Sequence, residues 1–286
     1  RWGLAMAAQL QATQEWAARD GKLQQVYQLA DAWHGRLRDS GPWSLWDRMW
    51  RNSVETALKS EDRKTLMLSL RQLARTREQV GYGAGAEPLY RESLKIARDL
   101  SDQRAIVETL NELGAHEAQP NEAVLLLKTS LEQAQLLGDR PLLANTWNRL
   151  GKAYAAQPDA ANAEKAFQQS LTIYREINDG KSSVEVMREL YALAMKKPDH
   201  EAARGWLVKS LEVCDKLADP QCALPSYLHL GRLAEQEGNT AEAQKQFDQA
   251  LAVAKRVPDV TALATVQDEL ARREERRGDI AATLSM

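Results

Sequence analysis

The stretch that decides the fold is residues 150–171, which read LGKAYAAQPDAANAEKAFQQSL. It opens on a Leu-Gly pair and closes on a Ser-Leu step that follows Ala163 by seven positions. The same anchor and step recur along the chain, as Trp46 with Ser53-Val54, Ala86 with Ser93-Leu94, Ala123 with Ser130-Leu131, Ala163 with Ser170-Leu171, Ala203 with Ser210-Leu211 and Ala243 with Ala250-Leu251. Neighbouring steps lie 40, 37, 40, 40 and 40 residues apart. This period predicts a stack of repeated supersecondary units rather than a closed globule.

A second mark, Leu followed by a small or planar residue, falls 20 positions after each step, and Leu113-Gly114 and Leu150-Gly151 are examples. Apolar residues around these marks recur at helical spacing, so each unit carries two helices and the chain is predicted to be all-α. The predicted pairs are 22–40 with 43–59, 62–80 with 84–100, 102–118 with 121–137, 140–156 with 160–178, 182–196 with 199–217, and 221–237 with 240–256. Helices at 3–19 and 260–277 flank them, and Gly278 is predicted to open one more.

One unit is shorter than the others, and the shortening can be located. Gly114 precedes Ser130 by 16 residues, whereas Gly151 precedes Ser170 by 19. The sequence predicts that the three missing residues come from the turn near Pro120, because a deletion in a loop leaves the stacked helix faces in register.

The order Leu150-Gly151, Tyr154, Ala163, Phe167 and Ser170-Leu171 resembles the tetratricopeptide repeat, in its longer variety of about 40 residues. HEAT and armadillo repeats share the period, but the Leu-Gly and Ala-x3-Phe patterns favour the tetratricopeptide type. The resemblance implies a right-handed α-α superhelical solenoid with six to seven repeats in residues 21–286. Residues 1–20 then form an N-terminal helix that we expect to join an upstream domain, because the chain begins at Arg1.

Composition excludes several functional classes. Lys and Arg total 38 against 40 Asp and Glu, a net charge of −2, so no basic excess favours nucleic acid. No apolar run approaches the roughly 18 residues of a membrane span. We expect a cytoplasmic protein in which Cys214 and Cys222 are a buried small side chain and a loop thiol, since a disulfide framework or zinc site would need more ligands.

Nothing in the sequence predicts catalysis, a cofactor or a metal. The glycines of residues 81–85 lack the Lys and the preceding strand of a phosphate-binding loop. The four histidines lie in four separate units and form no HExxH or His-x3-His pair. The expected function is therefore binding.

The resemblance implies that the first helices line a concave groove that holds a protein or peptide. Side chains next to the Leu-Gly marks should lie on it, namely Arg71, Arg75, Asn111, Asn145, Asn148, Arg149, Lys152, Arg188 and Arg232. Asn can bond a peptide backbone and Arg selects carboxylates, so an acidic ligand is expected. The alternative is that these charges are solvated and pair with Glu112, Glu185 and Glu189. No unit has the Lys-x3-Asn clamp of chaperone-binding members at these positions.

Six of the eight tryptophans lie in the first 50 residues. They either build a core of large residues or, as interfacial tryptophans do, dock a neighbouring domain. The docking candidates are Trp2, Trp43, Trp46 and Trp50. Residues 41–46 are loosely similar to repeat regions of bacterial signal-transducing regulatory ATPases of the STAND type.

The sequence thus predicts a non-catalytic binding scaffold that serves as the sensor or interaction region of a larger regulatory protein. Two alternatives stay open at this point. One is a regulatory region of an ATPase or protease whose catalytic module lies elsewhere, and the other is a module that forms homo-oligomers through its terminal helices.

Overall fold

The computed structural model describes residues 2–40, 43–79, 81, 85–257 and 260–284, and within them it contains helices and no strand, as predicted. The helices are α1 Trp2–Arg19, α2 Leu23–Ser40, α3 Trp43–Lys59, α4 Arg63–Gln79, α5 Glu87–Asp99, α6 Gln103–His116, α7 Pro120–Leu137, α8 Arg140–Ala155, α9 Ala160–Glu176, α10 Gly180–Lys196, α11 His200–Lys216, α12 Pro220–Gln236, α13 Thr240–Arg256 and α14 Val260–Leu284. Even-numbered helices from α2 to α12 are the first helices of the pairs, and the helix that follows each is its second. The chain divides into two compact units, Arg1–Arg149 and Leu150–Met286.

The short repeat differs from its prediction in where the residues are lost. Helix α6 has 14 residues, whereas α4, α10 and α12 have 17 each. The turn at 117–119 has the same length as those at 197–199 and 237–239. Compared with α10 and α12, the three residues are therefore missing from the end of α6, about one helical turn, and not from the turn near Pro120. Compared with α8, which has 16 residues before a four-residue turn, two are missing from the helix and one from the turn. The last helix also differs, because α14 continues through Gly278 instead of restarting there.

The turns that follow α3, α5, α7, α9 and α11 share a two-residue pattern. The first has a left-handed backbone, with φ between 50° and 71°, at Glu61, Ser101, Gly138, Asn178 and Ala218. The next is an Asp whose carboxylate accepts the N–H three residues later, at Asp62, Asp102, Asp139, Asp179 and Asp219. An Asp in this position satisfies one of the free N–H groups at a helix start. The caps repeat with the 40- and 37-residue period, so local chemistry and packing define the same units.

The glycine of each Leu-Gly mark allows close packing within a pair. A Cβ atom built on it would lie 2.5 to 2.8 Å from a buried side chain of the second helix. The contacts are Gly114 with Leu127, Gly151 with Phe167 and Gly231 with Phe247. The small residue of the Ser-Leu step has a matching role, because the buried Ser93 hydroxyl donates to the Met67 carbonyl at 2.9 Å. Small residues thus set the spacing between helices.

The two cysteines are not free thiols. Cys214 near the end of α11 and Cys222 in the first turn of α12 form a disulfide, with their Cα atoms 5.6 Å apart. The prediction of a reduced pair is wrong because the short turn at 217–219 folds α12 back beside α11. Disulfides persist mainly in oxidising compartments, so the cytoplasmic location stays a prediction. None of the described helices is both long and apolar enough to cross a bilayer.

Candidate functional site

In the first unit, cations on one first helix pair with carboxylates on the next. Arg71 Nη1 lies 2.6 Å from Glu108 Oε2, and Arg75 Nη2 lies 2.5 Å from Glu112 Oε1. Both pairs join α4 to α6 across 37 residues. These arginines therefore contribute to the contact between repeats.

Glu112 is the centre of this network. It is 6% exposed and accepts hydrogen bonds from Arg75 and Arg149, the latter with an Nη2–Oε1 distance of 3.1 Å. Burial alone would raise the pKa of Glu112, but the charges of Arg149 and Arg75 outweigh it and hold the pKa below its ordinary value. Arg149 also donates to the Asn111 carbonyl and to Asn145 Oδ1. The side chain of Arg149 is thus fully used inside the first unit.

Arg71 is buried more deeply than Arg75 on the same helix. Burial lowers the pKa of its guanidinium, and the nearby Glu108 carboxylate offsets this only in part. Its Nε atom is buried and forms no hydrogen bond among the described residues. Arg71 therefore has little access to a ligand at the surface.

The asparagines have different environments. Asn111 is 2% exposed, and its amide donates to Thr146 Oγ1 at 2.8 Å and accepts from Ser130 Oγ at 2.9 Å. Asn148 is also buried, and its Oδ1 has no hydrogen-bond partner in the described part of the chain. Asn111 therefore connects α6 to α7 and α8, and its side chain is not available to a ligand.

The second unit has the same arrangement with one difference. Lys152 Nζ lies 2.9 Å from Glu189 Oε1, and Arg232 Nη2 lies 2.5 Å from Glu269 Oε2. Arg188 is partly exposed, and no ion pair or hydrogen bond of the described residues uses its guanidinium. Of the predicted cations, Arg188 is the one whose charge remains for a ligand.

Two aromatic rings contact each other near Arg188 in the second unit. The rings of Tyr191 on α10 and His229 on α12 have centroids 4.7 Å apart. Burial first, and then the positive charges of Arg232 and Arg188, lower the pKa of His229 to about 4. The imidazole is therefore neutral at pH 7 and offers a hydrogen bond without adding charge.

The predicted docking tryptophans separate into two groups. Trp46 and Trp50 are fully buried in a cluster with Met49 and Leu73, which is the core alternative, so they cannot contact another domain. Trp43 is 43% exposed and remains a docking candidate. The side chain of Trp2 lies outside the described part of the chain.

Most of the cations predicted to line the groove therefore pair with carboxylates of the same chain, which is the alternative given in the sequence analysis. Glu112 and Glu189 have the partners that this alternative requires, whereas Glu185 makes no ion pair among the described residues. The pairing of Arg71 with Glu108, the pairing of Arg232 with Glu269 and the contact between the Tyr191 and His229 rings were not predicted from the sequence. The signal that identifies the carboxylates is their spacing, because each lies 37 residues after the cation it binds.

Comparisons with known proteins agree with this architecture. Two family models, each described as tetratricopeptide repeat, match residues 115–176 and 224–256. The chain therefore contains tetratricopeptide repeats. No curated protein sequence matches it significantly.

Several solved structures share the fold at low sequence identity. BtubC from P. vanneervenii is 20% identical, with a TM-score of 0.64 over 76% of this chain and 92% of that one. A STAND protein with a tetratricopeptide-repeat sensor from Pyrococcus horikoshii is 15% identical, with a TM-score of 0.64 over 81% of this chain and 36% of that one. A Rap protein complexed with competence and sporulation factor is 13% identical, with a TM-score of 0.55 over 97% and 99%. Identities this low establish the fold and nothing more specific.

Proposed function

We propose that this tetratricopeptide-repeat protein is a non-catalytic scaffold that binds an acidic segment of a protein partner through its second unit. The binding surface is the face of the first helices in that unit, which we call the second-unit face and define by Lys152, Arg188, Tyr191, His229 and Arg232. The observation that carries the proposal is the guanidinium of Arg188, which no described carboxylate neutralises.

The chemistry of this face suits a carboxylate. An Arg guanidinium binds a carboxylate through two parallel N–H bonds, which gives both strength and orientation. The adjacent Tyr191 and His229 rings add apolar area and polar atoms without a competing negative charge. Lys152 and Arg232 lie in the same unit, but each already has a carboxylate partner. Arg188 should therefore contribute most of the selectivity for acidic residues.

The first unit is less suited to this role. Arg71, Arg75 and Arg149 are committed to Glu108 and Glu112, so a ligand carboxylate would have to displace an internal one. Separating a buried pair leaves an unpaired charge, which is costly. The first-unit cations therefore belong to the scaffold in this proposal, and partner binding is assigned to the second-unit face.

The relatives support the class of function. A Rap protein of the same fold has been solved with competence and sporulation factor bound, and the STAND protein uses its repeats as a sensor. We extend this to propose that the chain is the sensor or interaction region of a larger regulatory protein, in which Trp43 contacts a neighbouring domain. Self-association through the terminal helices and a role inside an enzyme stay predictions of the sequence.

A peptide array of random sequences tests the binding proposal. The chain should bind peptides enriched in Asp and Glu, and Arg188→Glu should abolish that enrichment while leaving the helical signal in circular dichroism unchanged. Lys245→Glu is the matched control, because it reverses one charge on the second helix α13, where the side chain is exposed. Equal binding by Arg188→Glu and Lys245→Glu would exclude the second-unit face as the binding surface.

A further inference from the structure

Three potential metal ligands lie close together in the first unit, near the end of the shortened helix α6. Glu78 comes from the last turn of α4, and Glu112 and His116 lie four residues apart on α6. His116 Nε2 is 2.9 Å from Glu78 Oε2, and one ligand atom from each of the three residues lies within 4.8 Å of the others. The spacing of four residues places Glu112 and His116 on one face of α6.

The geometry points to a binding site for a divalent transition-metal ion of the zinc class, which we infer is held by Glu78, Glu112 and His116. Zinc takes imidazole nitrogen and carboxylate oxygen ligands at about 2.0–2.2 Å. Ligand atoms at these distances in a tetrahedral site lie about 3.3–3.6 Å from one another. His116 Nε2 and Glu78 Oε2 are slightly closer than that range, and all three ligand atoms lie within 4.8 Å of one another, so small side-chain movements bring them to one ion. The imidazole ligand favours zinc, cobalt or nickel over calcium and magnesium.

Neighbouring side chains already orient the two carboxylates. The Tyr90 hydroxyl donates to Glu78 Oε2 at 2.9 Å. The hydrogen bonds that Glu112 accepts from Arg75 and Arg149 all fall on Oε1, which leaves Oε2 for the ion. Partners of this kind fix the direction of a ligating group and are a regular part of metal sites. Arg75 and Arg149 also place positive charge close to the ion. The site therefore depends on further carboxylates, beyond the two ligands, to offset that charge.

A cavity of about 260 Å³ lies beside these ligands. Glu78 and His116 line it, and Glu87 and Glu117 add two further carboxylates to its wall. It lies at the end of α6, which has 14 residues where α4, α10 and α12 have 17 each. The cavity offers room for a water molecule in the fourth position, since a site with three protein ligands keeps one position open. The missing turn of the short repeat therefore creates the space that the site requires.

The second unit contains a pair that serves as a control. His200 lies beside Glu237 with an Nδ1–Oε1 distance of 3.8 Å, and no third metal ligand joins them among the described residues. Both histidines are partly exposed, so truncating either should leave the helices intact. A comparison of the two separates a built site from an ordinary ion pair.

Isothermal titration of the full chain with zinc chloride, after removal of any affinity tag, tests the inference. No reductant is added, so that the Cys214–Cys222 disulfide stays closed and provides no thiolate ligands. Wild type and His200→Ala should each bind one ion per chain with equal affinity, and His116→Ala should lose that binding. Tyr90→Phe should weaken it about tenfold, the lower end of the usual effect of removing an orienting partner.

Three results would overturn the site: no saturable zinc binding by wild type, equal affinity in His116→Ala, or an equal loss in His200→Ala. A cobalt titration gives a second readout, because a tetrahedral site with one imidazole and two carboxylates has a visible absorption band that Glu78→Gln should change. These residues lie in the first unit, so the test does not depend on the function proposed for the second-unit face.

Discussion

Replacing Gly114 with alanine tests the packing rule on which the repeats depend. The new Cβ would lie 2.5 Å from Leu127 Cγ and 3.0 and 3.2 Å from its two methyl carbons. Leu127 is fully buried, and the closest contact is to its branch carbon, so rotation about χ2 does not relieve the overlap and the side chain or its helix has to shift. Overpacking of this kind costs about 1–3 kcal/mol, and the better helix propensity of alanine returns about 1 kcal/mol. We expect a net loss of up to about 2 kcal/mol in the free energy of unfolding.

The same substitution at Gly205 provides the control. Gly205 is inside helix α11, and no atom lies within 4 Å of the position of its Cβ. Gly205→Ala should therefore stabilise the protein by about 1 kcal/mol, the propensity term alone. Two identical changes in helix interiors should thus shift stability in opposite directions.

Urea unfolding followed by circular dichroism measures both effects as shifts of the transition midpoint at unchanged slope. Leu127→Ala alone should cost about 2–5 kcal/mol. In the Gly114→Ala background it should cost about 1 kcal/mol less, because the added methyl group fills part of the vacated space. If Gly114→Ala raised the midpoint as Gly205→Ala does, the close approach of α6 and α7 would not be what limits the residue size at this position.

Three further predictions concern the disulfide, the buried histidine and the tryptophans. Replacing both Cys214 and Cys222 with alanine should lower the free energy of unfolding by about 2–3 kcal/mol, because the closed loop restricts the unfolded chain; a urea midpoint insensitive to dithiothreitol would contradict this. Stability should fall as the pH drops from 6.5 to about 4, since the His229 imidazole gains its proton at 6.5 when unfolded and resists it when folded. A His229→Gln variant should reduce that slope, and an NMR titration of His229 with a midpoint near 6.5 would refute the cause. Trp46→Ala should cost about 3–5 kcal/mol, whereas exposed Trp43→Ala should leave the thermal midpoint nearly unchanged, and equal losses would show that both belong to the core.

The helices could be predicted closely because their signals are local and repeat. The predicted α3 and α13 have the bounds that the structure gives, and most other ends differ by one or two residues. The short repeat shows the limit of this reasoning. A count from Gly114 to Ser130 finds that three residues are missing, but it cannot tell a lost helical turn from a shortened loop. The capping residue Asp102 and the residues before Pro120 are compatible with either case.

The candidate site could be predicted only in part, because a position beside the Leu-Gly mark does not specify its partner. Arg75, Arg149 and Arg188 have equivalent chemistry in the sequence, yet two of them bind Glu112 and one has no carboxylate among the described residues. That difference depends on which carboxylate a neighbouring repeat brings within reach. A 37-residue offset in the sequence indicates candidate pairs, but side-chain packing determines which of them form.

By itself, the sequence determined the class of fold and the repeat period, since the 40-residue recurrence and the small residues at Gly114 and Gly151 act through short-range packing. Only the tertiary structure decided which distant groups meet. It joined Cys214 to Cys222, buried Trp46, and brought Glu78 beside His116. The physical reason is that helix formation depends on neighbours three or four residues apart, whereas these contacts depend on how a turn and a shortened helix orient residues on different helices.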